Sequence, residues 1–228
     1  IDFFVTTAHD LLTPLNLIQA PLKDLENEIP PSGQGAQLLQ MALNNSSKLA
    51  HYVEKLLDFQ RVSLNASRLV VSKQMLEVFL RHRLDSFKLV AGNKYIHIEN
   101  KLEDSTRQEI WFDKEKITRI LDNLLSNAIK YSPENGRIKV RAEIARDPQF
   151  VEVSVEDQGC GIPEEHQKKI FERFYRVDKS HSREIGGTGL GLAITRNAVL
   201  MHRGAIKVFS TEGEGTIFNV RIPLNYIS

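Results

Sequence analysis

Three stretches of this chain combine residue types and spacings that could do chemistry. Asp157-Gln158-Gly159-Cys160-Gly161-Ile162-Pro163 follows a β-branched run and sets a carboxylate just ahead of two closely spaced glycines. Glycines let a backbone approach a flat ligand closely, and the acid can accept a hydrogen bond from an exocyclic amine. A plain glycine-rich turn is the competing account. Gly186-Gly187-Thr188-Gly189-Leu190-Gly191 leads straight into the helical pattern of Leu192-Ala193-Ile194. The free N–H groups and positive dipole end of such a helix suit phosphate. The string lies outside any βαβ unit and no GK[ST] lysine follows, so neither dinucleotide-fold nor P-loop mechanics applies. In Asn123-Leu124-Leu125-Ser126-Asn127-Ala128-Ile129-Lys130-Tyr131, the two asparagines are four apart and share a helix face, opposite Leu124 and Leu125. Amide oxygens serve Mg²⁺ when nucleotide phosphates supply the charge, and Lys130 could reach a phosphate. A solvated polar helix face accounts for the same spacing.

These stretches need elements to hold them. Phe4, Ala8, Leu11, Leu15, Ile18, Leu22 and Leu25 recur at alternating spacings of four and three, as do Leu38, Ala42, Asn45, Leu49, Tyr52, Leu56 and Phe59. Both runs follow the rule of a coiled-coil seam. Ile29-Pro30-Pro31-Ser32-Gly33-Gln34-Gly35 breaks them, which predicts a helical hairpin. A lone hairpin leaves its seam open, so a second copy is expected to complete a four-helix bundle. The heptads stop in the segment 61–68. Beyond it the patterns predict strands near 69–73, 95–102, 109–113, 137–146, 150–157, 205–211 and 215–223. Helices are expected near 74–91, 114–131 and 189–203, with a shorter one at 164–171. Helices beside long strand pairs predict an α+β sandwich with a mixed sheet covered on one face.

Composition narrows the function classes. The 228 residues carry 30 Lys+Arg against 29 Asp+Glu, a net charge of +1, which gives no reason to expect nucleic acid or an anionic membrane surface as partner. Residues 1–66 hold −3 of that total and the remainder +4. The single cysteine cannot form an internal disulfide and fits a reducing compartment. No apolar run approaches the roughly 20 residues needed to span a bilayer. The chain opens on Ile1 rather than Met, as expected for a piece of a longer protein.

Taken in this order, the stretches resemble the boxes of sensor histidine kinases: an N box (Asn123–Tyr131), a G1 box (Asp157–Gly161), an F box (Ile170–Arg176) and a G2 box (Gly187–Gly191). The resemblance covers essentially the whole chain. It implies an N-terminal all-α hairpin (1–66) forming a dimeric four-helix bundle, then a Bergerat-type (GHKL) α+β ATP-binding domain (67–228). A lid is expected at about 172–188. Carried over by motif, Asp157 would bind the adenine amino group and Tyr131 would flank the base. Asn127 would hold Mg²⁺, with Asn123 and Lys130 near the phosphates of ATP and Arg176 on the γ-phosphate. Phe171 and Phe174 would anchor the lid by packing. Gly159, Gly161 and Ile162 would shape the base pocket, while Gly187, Thr188, Gly189, Leu190 and Gly191 would form the phosphate-facing hinge.

Ala8-His9-Asp10-Leu11-Leu12-Thr13-Pro14 is similar to the family's phosphoacceptor box, His-Glu-x-Arg/Lys-Thr-Pro. With Ala8 at an a position, His9 falls at b, outside the seam, and Thr13 shares its face. The resemblance makes His9 the acceptor, Asp10 its tautomer-holding acid and Thr13 the residue that places water for the reverse phosphatase step. Asp10 and Leu12 depart from the usual Glu and Arg/Lys, so a kinase-weak, ATP-binding scaffold or a phosphatase-dominant module is the alternative. The remaining histidines, His202 among them, have neither motif nor metal-ligand spacing and read as structural or solvated. The implied partners are a second copy and a response-regulator receiver aspartate. The implied setting is the cytoplasmic core of an inner-membrane-anchored sensor whose anchor lies in flanking segments. Ile1–Val5 and Arg221–Leu224 are similar to Bacteroidetes-type hybrid sensors. Two other classes compete with this reading. A clamp ATPase of the gyrase or chaperone kind requires a general-base glutamate on the N-box helix, and the corresponding segment here offers Asp122 and no Glu. A purely structural coiled coil leaves the nucleotide boxes unexplained.

Overall fold

The computed structural model describes residues 14–15, 17–26, 33–64, 69–145, 150–177 and 188–224. The chain divides into two compact units, Ile1–Ser67 and Arg68–Ser228.

In the first unit, residues 17–26 form helix α1, and helix α2 spans Gln34–Leu64. They touch through Gln19 Nε2, which donates to Ser47 Oγ at 3.5 Å. The buried stripe of α2 is Leu39, Leu43, Ser46 and Val53, one residue on from the predicted seam. Leu38 and Leu49 of that seam are exposed, with Met41 beside them, as are Ile18 and Leu25 of the first run. Two helices can bury only the stripes that face each other. A helix with apolar residues at both 38/49 and 39/43 therefore carries a second stripe the first unit does not cover.

The second unit is a sandwich of one helical layer on one sheet. Its strands are β1 (Ser72–Met75), β2 (His97–Leu102), β3 (Glu109–Phe112), β4 (Arg137–Ile144), β5 (Phe150–Asp157), β6 (Ala205–Thr211) and β7 (Gly215–Pro223). Its helices are α3 (Leu76–Gly92), α4 (Lys114–Tyr131), α5 (Glu164–Gln167) and α6 (Gly191–Met201). The main sheet runs β2-β4-β5-β7-β6, with β2 parallel to β4 and the other pairs antiparallel. β1 and β3 make a separate antiparallel ribbon. Alternation follows the strand period: Ile138, Val140 and Ala142 are buried on β4 while Arg137, Arg141 and Glu143 face out. The inner residues pack on Leu80 and Leu84 of α3, Leu124 and Leu125 of α4 and Val199 of α6. Each such side chain contributes about 1.5–3 kcal/mol by its burial.

Helix α4 matches its predicted span because both ends are marked. Asp113 accepts from Lys116 N at 3.1 Å as the N-cap, and Ser132 turns extended ahead of Pro133. Other bounds move. The strand predicted at 69–73 begins only at Ser72, opposite Phe112, because Val70 N donates instead to Asp113 Oδ2 at 2.9 Å. The predicted helix 189–203 runs Gly191–Met201, and Arg203 at φ 54 ends it. The segment 164–171 splits into α5 and a 3₁₀ turn at Lys169–Phe171.

Candidate functional site

Asp157 closes β5 on the inner face of the sheet, in register with Ile138 on one side and Thr216 on the other. It is buried, and its Oδ1 accepts from Gly159 N at 2.9 Å. Burial pushes its carboxyl above the ordinary aspartate range, and the N–H groups of Gly159 and Thr216 pull partly against that rise.

The glycines around it serve the chain's own packing. A Cβ on Gly159 would stand 2.8 Å from Asp157 Oδ1 and 2.9 Å from Tyr131 O. Gly161 sits at φ +68 with its would-be Cβ 2.0 Å from Thr211 O. These residues let the turn lie directly on α4 and on the β6–β7 hairpin, so their close approach is to backbone, not only to a ligand. Ile162 N donates to Ser210 Oγ at 2.8 Å, and Gln167 Nε2 holds the carbonyls of Ile162 and Ser210 at 2.9 Å each.

An open cleft of about 780 Å³ runs between Lys130–Pro133 and Gln158–Cys160, with Lys94 in its lining. Tyr131 is 42% exposed there, and Lys130 Nζ lies 4.7 Å from its ring centroid. Lys94 is absent from the motifs. Its Nζ donates to the carbonyls of Ile129, Lys130 and Ser132 at 3.1, 3.1 and 3.2 Å.

The other end of the site is built by α4 and α6. Asn123 Nδ2 donates to Gly191 O at 3.1 Å and to Thr195 Oγ1 at 3.3 Å, so this asparagine is spent on holding the first turn of α6. Gly191 is tight against it, its would-be Cβ 3.3 Å from Asn123 Oδ1. Asn127, one turn on, is half-buried, and its side-chain amide enters none of the hydrogen bonds among the described residues. Leu190 is buried, and its N–H donates to Thr188 Oγ1 at 3.3 Å.

Phe174, at φ 62, donates its N–H to Gly189 O at 3.0 Å, and Gly189 at φ +70 has no room for a Cβ beside Phe174. The segment expected to be a lid is thus pinned where it leaves and returns. Phe171 packs edge-on against Phe218 at 6.4 Å. Phe174 is 59% exposed, so side-chain packing is not its anchor; its backbone is. Tyr175 OH is 2.5 Å from His166 Nδ1, and Arg176 is half-buried next to it.

At the far ends of α4 and α6, His202 is fully buried. Its Nδ1 lies 2.7 Å from Ala198 O, and its Nε2 accepts from Asp113 N at 3.3 Å. This is the arrangement of a neutral ring, and burial lowers its pKa. Asp122 forms an ion pair with Arg83. His9, Asp10, Thr13 and Gly187 lie outside the described residues. So does nearly all of the second half of the expected lid.

The structure therefore gathers the sequence-derived residues into two groups, Asp157–Gly159–Tyr131 and Asn123–Gly191, with α4 belonging to both. Asp113 carried a legible signal, an Asp ahead of an apolar-periodic run. Lys94 carried none, since nothing local ties a lysine to a helix end 35 residues later.

Comparison with known proteins agrees with this architecture. Residues 1–64 match the His Kinase A (phospho-acceptor) domain, and residues 112–226 match the histidine kinase-, DNA gyrase B- and HSP90-like ATPase family. The chain belongs to that ATPase family, as a histidine kinase catalytic core. It is 32% identical over 225 residues to the sensor histidine kinase WalK of Bacillus subtilis, covering 97% of this chain and 36% of WalK. It is 34% identical over 227 residues to the sensor histidine kinase TmoS of Ectopseudomonas mendocina, covering 98% of this chain and 23% of TmoS. The crystal structure of full-length ShkA in complex with AMPPNP superposes with a TM-score of 0.83 at 26% identity, over 100% of this chain and 47% of that one. The chain thus spans about a third or less of the length of these curated relatives.

Proposed function

We propose that this chain transfers the γ-phosphoryl group of ATP to His9 and passes it to an aspartate of a response-regulator receiver, working as a homodimer. The observation that carries the nucleotide half of this reading is buried Asp157, held by Gly159 at the edge of an open cleft. A carboxylate fixed there accepts the adenine amino group while Tyr131 covers the base. The ATPase-family match and the AMPPNP complex of ShkA support ATP binding. The acceptor-domain match and the sensor kinase relatives support a dimer and a receiver partner in general terms.

Toward the phosphates, Lys130 and Arg176 supply positive charge. Gly189–Gly191 and Thr188 shape the first turn of α6, whose free N–H groups suit phosphate. Asn123 acts through its grip on that turn. For Mg²⁺, the described residues hold no cluster of carboxylates or histidines, and Asn127 offers one neutral oxygen. That fits an ion held mainly by phosphate oxygens, where it would neutralise charge as the phosphoryl group leaves. In the transfer, a lone pair on one imidazole nitrogen of His9 forms the N–P bond, and the bond from the γ-phosphorus to the bridging oxygen breaks, releasing ADP. Asp10 accepts a hydrogen bond from the other ring N–H and stabilises the positive charge that develops on the imidazole. Thr13 places water for the reverse phosphatase step.

In this reading residues 1–66 dimerise and accept phosphate, residues 67–228 bind ATP, and the core lies on the cytoplasmic side of a membrane-anchored sensor. Among the described residues no helix is long and apolar enough to cross a membrane. A clamp-type ATPase is disfavoured because Asp122, the lone acid of the N-box helix's middle, is engaged by Arg83.

The test is incubation with γ-labelled ATP and Mg²⁺. Acid-labile, alkali-stable label is expected on the wild type and absent from His9→Gln, whose ADP affinity stays unchanged. Free phosphate without protein-bound label would overturn the reading.

A further inference from the structure

Lys94 lies outside every nucleotide box, yet it holds the place where two of them meet. It follows α3 in the turn ahead of β2, and its half-buried side chain reaches the end of α4. An ammonium has three donors, and here each finds a carbonyl: Ile129 and Lys130 of the last helical turn and Ser132 just beyond it. These are acceptors a helix end leaves without partners, and the cation stands at the negative end of the α4 dipole. The backbone of Lys94 extends the clasp, its carbonyl accepting from Asn135 N at 3.1 Å.

What the clasp holds is the peptide of Tyr131, which lies between two of those carbonyls. Tyr131 O is so close to Gly159 that a Cβ there would stand 2.9 Å away. Gly159 N in turn donates to Asp157 Oδ1. From Nζ to the buried carboxylate the path runs through the backbone that brackets Tyr131 and then through Gly159, with no flexible side chain in between. Lys94, Tyr131 and Gly159 also line one cleft.

We propose that Lys94 is a positioning residue of the nucleotide site, holding the last turn of α4 against Gly159 so that Tyr131 and Asp157 keep the spacing an adenine base requires. This rests on the nucleotide-binding reading given above. Its signature differs from that of a direct phosphate ligand and from that of a cap serving stability alone.

The experiment is calorimetric titration of the 228-residue chain in the cold with ADP, AMPPNP and GDP. Lys94→Met is expected to weaken ADP and AMPPNP by one common factor, about tenfold, and to shrink the preference for ADP over GDP. Lys94→Arg keeps the charge, but its planar fork does not match three convergent carbonyls, so it recovers little of the loss. A loss larger for AMPPNP than for ADP would make Lys94 a phosphate ligand and overturn the proposal. So would a lowered unfolding temperature with unchanged dissociation constants, or full recovery by Lys94→Arg. If Lys94→Met does not fold, Lys94→Gln is titrated in its place. Wild-type protein that fails to bind ADP defeats the nucleotide reading itself; wild type that binds, matched by Lys94→Met in affinity and base preference, defeats only the role of Lys94.

Discussion

Asp157 serves two demands that conflict. Its burial disfavours the charged form, while the amine-accepting role we propose for it is best done by that form. The fold's share is a stability that favours the protonated acid: fully present below the unfolded-state pKa of about 3.9, and lost as pH rises through the raised folded value. Nucleotide binding runs the opposite way. ADP affinity is expected to fall as pH drops, starting above the range of ordinary carboxylates, and Asp157→Asn is expected to remove both the affinity and its pH dependence. Titration calorimetry across a pH series reads this directly; an affinity flat down to the ordinary carboxylate range would contradict it. The glycines beside it were legible as necessary but for an incomplete reason. Spacing pointed to ligand approach, whereas Gly159 and Gly161 meet Tyr131 O and Thr211 O of their own chain, partners no local pattern reveals.

Helix α6 is fastened to α4 at both of its own ends, by Gly191 to Asn123 in the middle of α4 and by His202 to Asp113, the N-cap of α4. Asp113 also fixes the segment at Val70. The far clamp has a pH signature with two windows. His202 is kept neutral by burial, so below about 6.5 the unfolded chain takes up a proton the folded chain refuses, and stability declines. Burial pushes the Asp113 carboxyl up, but the hydrogen bonds from Lys116 and Val70 outweigh it and hold its pKa below normal. Its contribution persists above about 3.9 and disappears as pH falls through the folded value. Urea midpoints at mildly acidic and mildly alkaline pH are expected to differ in the wild type. In His202→Gln the midpoint is lower at both pH values and the difference shrinks; an undiminished difference would assign the effect to another group. Most elements here were readable in advance because their ends carry chemistry, as Asp113 and Pro133 do for α4. β1 was displaced because the N–H of Val70 goes to a carboxylate 43 residues away, a choice made only in three dimensions.

At the scale of the molecule, the apolar surplus of α2 points beyond a single chain. The stripe at Leu39, Leu43 and Val53 is buried, while Leu38, Met41 and Leu49 stay exposed. The sequence periodicity could locate an apolar face but not divide it between an intrachain and an interchain neighbour, since both stripes obey the same spacing. Leu38→Glu combined with Leu49→Glu is expected to convert a dimer to a monomer in light scattering while leaving ADP affinity unchanged. A persistent dimer would place the interface on another face. The wall of the cleft has a practical corollary of its own. Cys160 is the sole thiol of the chain, and it stands exposed beside Gly159. An environment-sensitive fluorophore attached there would watch occupancy change in real time, with no competing sulfur to remove and no foreign residue to introduce.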